Sequence, residues 1–516
     1  MKKRQIAALL LGILAPGVLL AMTSCGPTVD LTFLGNVGDT DGTGVGPVAG
    51  FGSVIVNGVH YDDAGIDSTN FFDDHGRTKT DLMVGMMVKV TATEVNDVSG
   101  TGTATKIEVQ RHVDGPLDDN GVTLATNRMR VMGQTVVTDT TTVFDNVIDL
   151  TDVDNLSKAG NRPELEVHGI ADSDGTIHAT FVHMWSDNVV TERDVQVKGT
   201  VGNLNLAHTA FTLGTVSVSI PTPPSGLADG RFVEAKGAFR VSDNTLEATV
   251  VTIEDPSAGQ GAGDRVKAEG YVNRIVTATQ FELLGADGLQ RINWTTSTVA
   301  FRDGVAADLG EGARIEVEGV RNSDKTVAAA EISFRKPSNI RMDTTVTVPV
   351  SPPNSLKLYG KTVIVNSLTQ YRDSRDGLPT FGLADILTGD TLRVSAFLDN
   401  STVSDRIVAS RVERIDPFPA SDLHILQGRV VSFDIVGPTY TELGNLTSGL
   451  TVLTNVSTTT YANADGSAMT QAEFFALLAA NQGAGKPTVA RARGTAAAPG
   501  VSMAAQDVEI VPAIDN

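Results

Sequence analysis

Alternation of apolar and polar residues dominates this chain, and it recurs in blocks. Val88 and Val90 alternate with Lys89 and Thr91, and Ile315 and Val317 alternate with Arg314, Glu316 and Glu318. A period of two marks a strand buried on one face. Each such strand follows a turn glycine, namely Gly85, Gly160, Gly230, Gly312, Gly389 or Gly483. Downstream stands a closing strand of one form: alanine, a small or polar residue, any residue, then isoleucine or valine. Its copies are Ala104–Ile107, Ala179–Val182, Ala248–Val251, Ala329–Ile332, Ala409–Val412 and Ala505–Val508. Such a repeat predicts an array of one supersecondary unit in place of a few large domains.

The repeat divides the body of the chain into β-modules at 47–111, 112–190, 191–263 with a linker at Ser257–Gly263, 264–337, 338–418 and 419–516. Asn57-Gly58 and Asp174-Gly175 are hairpin turns. An aromatic residue precedes the closing strand at Phe144, Phe301, Tyr371 and Tyr461, and the third module lacks it. The sixth module carries a helical insertion, the one helix expected. Thr470-Gln471-Ala472-Glu473 has the form of a capping box, with Phe474, Phe475, Leu477 and Leu478 behind it. Closing each unit into a small barrel of five or six strands would remove exposed sheet edges.

Charge and the N-terminus bear on where the array would sit. The chain has 61 acidic and 40 basic residues and a net charge of −21. Residues 1–24 read as a leader. Lys2, Lys3 and Arg4 precede an apolar stretch, Ile6 to Ala21, that Pro16 and Gly17 interrupt; it is too broken for a span of about 20 residues. The leader ends Met22-Thr23-Ser24-Cys25, which resembles the lipobox of bacterial lipoproteins, so Cys25 is the expected site of lipid attachment. Gly26 follows it where an aspartate would suggest retention at an inner membrane. The destination expected is therefore the outer membrane, with the array facing the periplasm or the cell surface. Loss of the leader removes basic residues only, and so acidic a body disfavours nucleic acid as a partner. Cys25 is the only cysteine, so no disulfide framework exists. Residues 25–46, with Gly35, Gly38, Gly42, Gly44 and Gly46, read as a flexible tether.

No catalytic constellation emerges. His178 and His183 are five positions apart on one strand, which strict alternation would send to opposite faces. His60, His75, His112, His168, His208 and His424 are scattered and read as turn or surface groups. Asp62-Asp63, Asp73-Asp74 and Asp118-Asp119 lie in turn-rich sequence and read as solvated, and Trp185 and Trp294 read as core fillers. There is no Gly-x-Ser-x-Gly elbow and no phosphate loop. No catalytic residue, metal or cofactor is expected.

The stretch Gly50-Phe51-Gly52-Ser53-Val54-Ile55-Val56-Asn57-Gly58, the Leu309-x-x-Gly312 turn and the Ala-x-x-Ile/Val strand together resemble the domain of unknown function 5666 family, which occurs in tandem in bacterial lipoproteins. The resemblance runs through all the modules, most closely the first, second and fourth. It implies an all-β chain of about six small OB-like antiparallel barrels and brings no catalytic residues. The function expected is that of a non-enzymatic, lipid-anchored envelope protein that binds a protein or glycan or has a structural role. The competing expectation is a secreted envelope hydrolase acting on polysaccharide or peptide.

Overall fold

Five strands close the first barrel: Thr40–Gly50, Val54–Val56, Val59–Asp62, Met87–Asn96 and Thr101–Val109. The first three form an antiparallel meander and the third runs parallel to the fifth. The fifth then pairs with the fourth, and the fourth returns to the first. This order, 1-2-3-5-4-1, is that of an OB barrel. The same pairings build the second, third, fourth and sixth barrels. The fifth barrel shows all of them except the pairing of its first two strands. The structure, a computed structural model, describes residues 40–96, 99–188, 194–347, 354–399, 406–418, 424–443, 449–498 and 502–512. The leader, Cys25 and the tether as far as residue 39 lie outside the described residues.

A bulge explains the closing-strand motif. Ala104 faces Ala92 while Lys106 faces Thr91, so Thr105 is an extra residue on its strand. The extra residue is Thr180, Thr249, Ala330, Ser410 and Gln506 in the other barrels. It resets the alternation, so the motif's alanine and its isoleucine or valine, three positions apart, both point into the barrel. All six such pairs lie in hydrophobic cores. Opposite the alanine stands Gly169, Gly237, Gly319 or Gly494, where a Cβ would overlap the carbonyl oxygen of His178, Glu247, Ala328 or Ala504. Bulges bend and twist a strand locally, which suits tight closure of a five-stranded sheet.

Two further devices recur. The turn glycine before the fourth strand takes positive φ at Gly85, Gly160, Gly230, Gly312 and Gly389; in the sixth barrel Gly485, not Gly483, does so. In the first, third and fourth barrels its N–H donates to the first strand, as in Gly312 to the Val272 carbonyl at 2.8 Å, whereas Gly160 and Gly485 donate within their own turns. A short strand also runs parallel to the closing strand at Phe71–Phe72, Val143–Asp145, Ala300–Arg302, Gln370–Asp373 and Thr460–Ala462. In three barrels a buried threonine just before it, Thr142, Thr369 or Thr459, donates its hydroxyl to the carbonyl of the motif's alanine at 2.7–2.8 Å. Among the described residues the third barrel has no such strand, in keeping with its missing aromatic.

Two helices sit between the third and fourth strands of their barrels. α2, Gln471–Gly483, is the insertion expected in the sixth barrel, capped by Thr470 and Glu473. α1, Leu150–Lys158, belongs to the second barrel and corrects the expectation of a single helix. The Asp149 side chain accepts hydrogen bonds from Thr151 N and Asp152 N, and Leu150 and Val153 are buried; only nine residues long, α1 offers little periodicity to detect.

Chain order is not spatial order. The first strand of each barrel is shared with another barrel: the first with the fourth in parallel, the second with the third and the fifth with the sixth antiparallel. Three continuous sheets result, within one compact unit spanning Val37–Asn516. Thr40–Gly46, read above as tether, is the strand that joins barrels one and four. Its glycines permit close approach: a Cβ on Gly44 would overlap the Tyr61 hydroxyl, and one on Gly46 the Asn57 side chain.

The bulge account predicts that Gly319→Val lowers stability by about 2 kcal/mol or more, because an overpacked core position costs about 1–3 kcal/mol. Gly310, which faces open space, is the control: Gly310→Ala should stay within about 0.5 kcal/mol. Urea melts of both variants provide the check, and equal losses would contradict the account.

Candidate functional site

Two polar assemblies lie between barrels. The first joins the first barrel's loop at residues 73–77 to the second barrel. Arg77 forks onto Glu166 at 2.7 and 2.8 Å, and Arg111, 1% exposed, reaches Glu166 at 3.2 Å and pairs with Asp73. Lys236 of the third barrel holds Asp74 at 2.7 Å. The His168 Nδ1 accepts from Met87 N at 3.1 Å, so its Nε2 carries the proton and donates to Glu166 at 2.6 Å. Burial lowers the His168 pKa and keeps the ring neutral. Burial alone would raise the Glu166 pKa; the bond from His168 and the cations Arg77 and Arg111 outweigh it and hold that carboxyl well below the usual range. His75 pairs with Asp114, and that hydrogen bond raises its pKa against the effect of burial. Trp185 packs against His75, tilted at 4.8 Å, and against His183, edge-on at 4.3 Å, with the Arg77 guanidinium over its ring at 4.8 Å.

His75, Asp114 and Glu166 place ligand-type atoms within 4.8 Å of one another. Their surroundings oppose a cation: both Glu166 oxygens are already engaged by Arg77, and Arg111 stands beside them. The cluster is a charge-balanced clamp between barrels.

These placements correct several readings. His112 and His168 are buried, not surface groups, and burial pulls the His112 pKa down to about 3. Asp73 is not solvated, and Trp185 belongs to the polar clamp. The bulge at Thr180 puts His178 and His183 on the same outer face, against strict alternation. They remain apart, tied to Asp172 at 3.1 Å and Asp145 at 2.6 Å. His60 stays exposed, 3.4 Å from the Ser53 hydroxyl. Trp294 packs on its barrel core as expected. Cys25 lies outside the described residues.

The second assembly lines an open cleft of about 170 Å³ where the second, fifth and sixth barrels meet. Arg341, Arg372, Arg393, Arg411 and Arg491 form its wall on the fifth and sixth barrels, and the start of α1 faces them. Because the fifth and sixth barrels share one sheet, a cross-strand row runs from Arg411 through Ser395, Arg341 and Gln427 to Arg491. Directly opposed residues share a face. Arg411 also ties the barrels together, donating to the Thr141 and Thr140 carbonyls at 2.7 and 3.3 Å. No sequence signal marked this cleft, because its arginines are contributed by separate strands of two repeats.

Comparison with known families matches three barrels, at residues 114–183, 262–333 and 345–413, to the domain of unknown function 5666. The chain carries tandem repeats of this domain. The matched repeats are the second, fourth and fifth barrels; the first, which supplied the Gly50–Gly58 motif, is not among them yet has the same strand order. No curated protein matches the chain. A solved multidomain protein with nucleic acid binding domains from Streptococcus pneumoniae TIGR4 is similar over 49% of this chain and 74% of its own, at 10% identity and a TM-score of 0.11. A likeness that weak carries no argument.

The clamp between the first two barrels makes a pH prediction. The His75 pKa is raised above its ordinary 6.5, so its stabilising contribution is full below that value and fades as pH rises through the raised one. The stability lost in His75→Gln should therefore be larger at pH 5 than at pH 9, measured as the shift in urea midpoint. A deficit that grows with pH would contradict the assignment.

Proposed function

We propose that this chain is a non-enzymatic, lipid-anchored cell-envelope protein whose repeat domains form a binding scaffold for a protein or glycan ligand. One observation carries the binding reading: the arginine-walled cleft at the junction of three barrels, built from rigid strands of a continuous sheet. Sites on strands hold their groups more firmly than sites on loops. The anchoring half rests on the leader and on Cys25 in the lipobox-like stretch. The outer membrane, with the barrels facing the periplasm or the cell surface, is the location this reading assigns.

A hydrolase has one observation in its favour, the Ser53–His60 pair at 3.4 Å. Both groups are near the surface, and among the described hydrogen bonds no carboxylate orients the His60 ring, the third element such a nucleophile requires. The scaffold reading therefore stands first.

Fractionation of expressing cells tests the proposal. The wild-type chain should sediment with outer membranes and Cys25→Ala should be soluble; identical behaviour would remove the anchor. A fluorophosphonate probe should leave Ser53 unlabelled, and labelling abolished by Ser53→Ala would reverse the ranking in favour of the hydrolase.

A further inference from the structure

We propose that the cleft between the second, fifth and sixth barrels binds a small oxyanion, a sulfate, phosphate or carboxylate group, either free or carried on an acidic saccharide. The inference deepens the binding reading above and rests on it by naming the ligand chemistry.

Arg411 is the first argument. It is 4% exposed, it lines the cleft, and among the described residues its Nε has no hydrogen-bond partner although both terminal nitrogens are used. A buried donor without a partner forfeits the hydrogen bond it would make in water. Burial, with Arg393 and Arg372 nearby, pulls its pKa down to about 10 despite Glu413. Its nearest carboxylate oxygen, on Glu413, stands 3.8 Å away and is shared with Arg393 at 3.7 Å, while Arg372 takes the other Glu413 oxygen at 3.3 Å. One carboxylate thus serves three guanidinium groups.

Of these three, Arg393 alone has a further carboxylate partner among the described residues. Asp343, 1% exposed, is committed to Arg341 at 2.7 and 2.9 Å and to Arg393 Nε at 3.1 Å. Glu509 pairs with Arg491 at the rim. Asp139 turns back on its own loop, accepting from Thr141 N and Thr142 N, and Asp149 caps α1. Each guanidinium carries five donors in a planar fork, so Arg372, Arg411 and Arg491 keep N–H groups for a planar or tetrahedral anion. The cleft, about 170 Å³ and open to solvent, has room for an anionic group together with ordered water. The negative net charge of −21 makes so local a cationic wall a selective feature: polyanions are repelled by the body, and a single anionic substituent can be admitted.

The experiment uses the purified chain at low ionic strength. Melting curves are recorded against sodium sulfate, sodium phosphate and a glucuronate-containing disaccharide, with sodium chloride at matched ionic strength as reference. Saturable stabilisation by sulfate beyond chloride is expected, with at least tenfold weaker binding in Arg372→Gln. Arg491→Gln, whose partner Glu509 is one-third exposed, tests the same wall where folding is least at stake and should weaken binding several-fold. Tighter binding of the disaccharide than of free sulfate or phosphate identifies a saccharide substituent as the source; equal or weaker binding identifies the free ion. Sulfate that acts no differently from chloride, or variants that bind like the wild type, would overturn the inference. Loss of sulfate binding with Cys25-dependent membrane retention intact would remove this ligand alone and leave the anchored-scaffold reading standing.

Discussion

One extra residue in each closing strand is the constraint on which this structure depends. A five-stranded sheet that returns to its first strand must coil hard, and a bulge concentrates that coiling at one point. The bulge frees the carbonyl of the preceding alanine, which a buried threonine hydroxyl satisfies in three of the barrels. It also drives the neighbouring strand's backbone so close that glycine stands opposite in four barrels and alanine in the others. Motif, facing glycine and threonine are thus one device seen from three positions.

The second constraint is the sharing of first strands. Each OB barrel presents an edge of its first strand, and an unpaired edge invites association with another chain. Here the edges pair within the chain, one barrel with another, and the pairing makes continuous polar rows out of residues that are far apart in sequence. The arginine row of the fifth and sixth barrels arises in this way. The clamp of Arg77, Arg111, Glu166 and Asp73 answers the same geometry elsewhere: where two barrels press outer faces together, buried charges must find opposite charges. Its carboxylates and cations do so almost one for one. The arginine cleft gathers carboxylates too, but two of them, Asp139 and Asp149, turn their oxygens to backbone N–H groups and not to the guanidinium groups, and that contrast sets it apart.

Much of the fold was legible because the repeat is written in the residues that make the barrel. The spacing of three between alanine and isoleucine or valine is incompatible with a regular strand and already encodes the bulge. The missing aromatic of the third module corresponds to its missing short strand. What stayed hidden has a common cause: it depends on contacts between repeats. Gly42, Gly44 and Gly46 look like a flexible tether in sequence and are close-packing positions in a shared strand. Lys89 alternates as a solvent-facing residue yet is 6% exposed, held by Asp287 of the fourth barrel at 3.1 Å. His168 and Asp73 are ordinary polar residues until a second barrel covers them. α1 was missed for a different reason, being too short for its apolar face to rise above the surrounding strands.

The pairing of the first and fourth barrels is the claim that most separates this architecture from a string of independent repeats, and an engineered disulfide tests it directly. Gly42 lies directly opposite Arg265 in the parallel register, and a Cβ placed on it would stand 3.0 Å from the Arg265 Cβ, so the strands need to part by about 0.5 Å to reach the roughly 3.5–4.5 Å of a disulfide. In a chain with Cys25 replaced by serine, Gly42→Cys together with Arg265→Cys should oxidise to a single intramolecular crosslink, seen as a mobility shift on a non-reducing gel. Two thiols that both remain free to react under native conditions would contradict the shared strand.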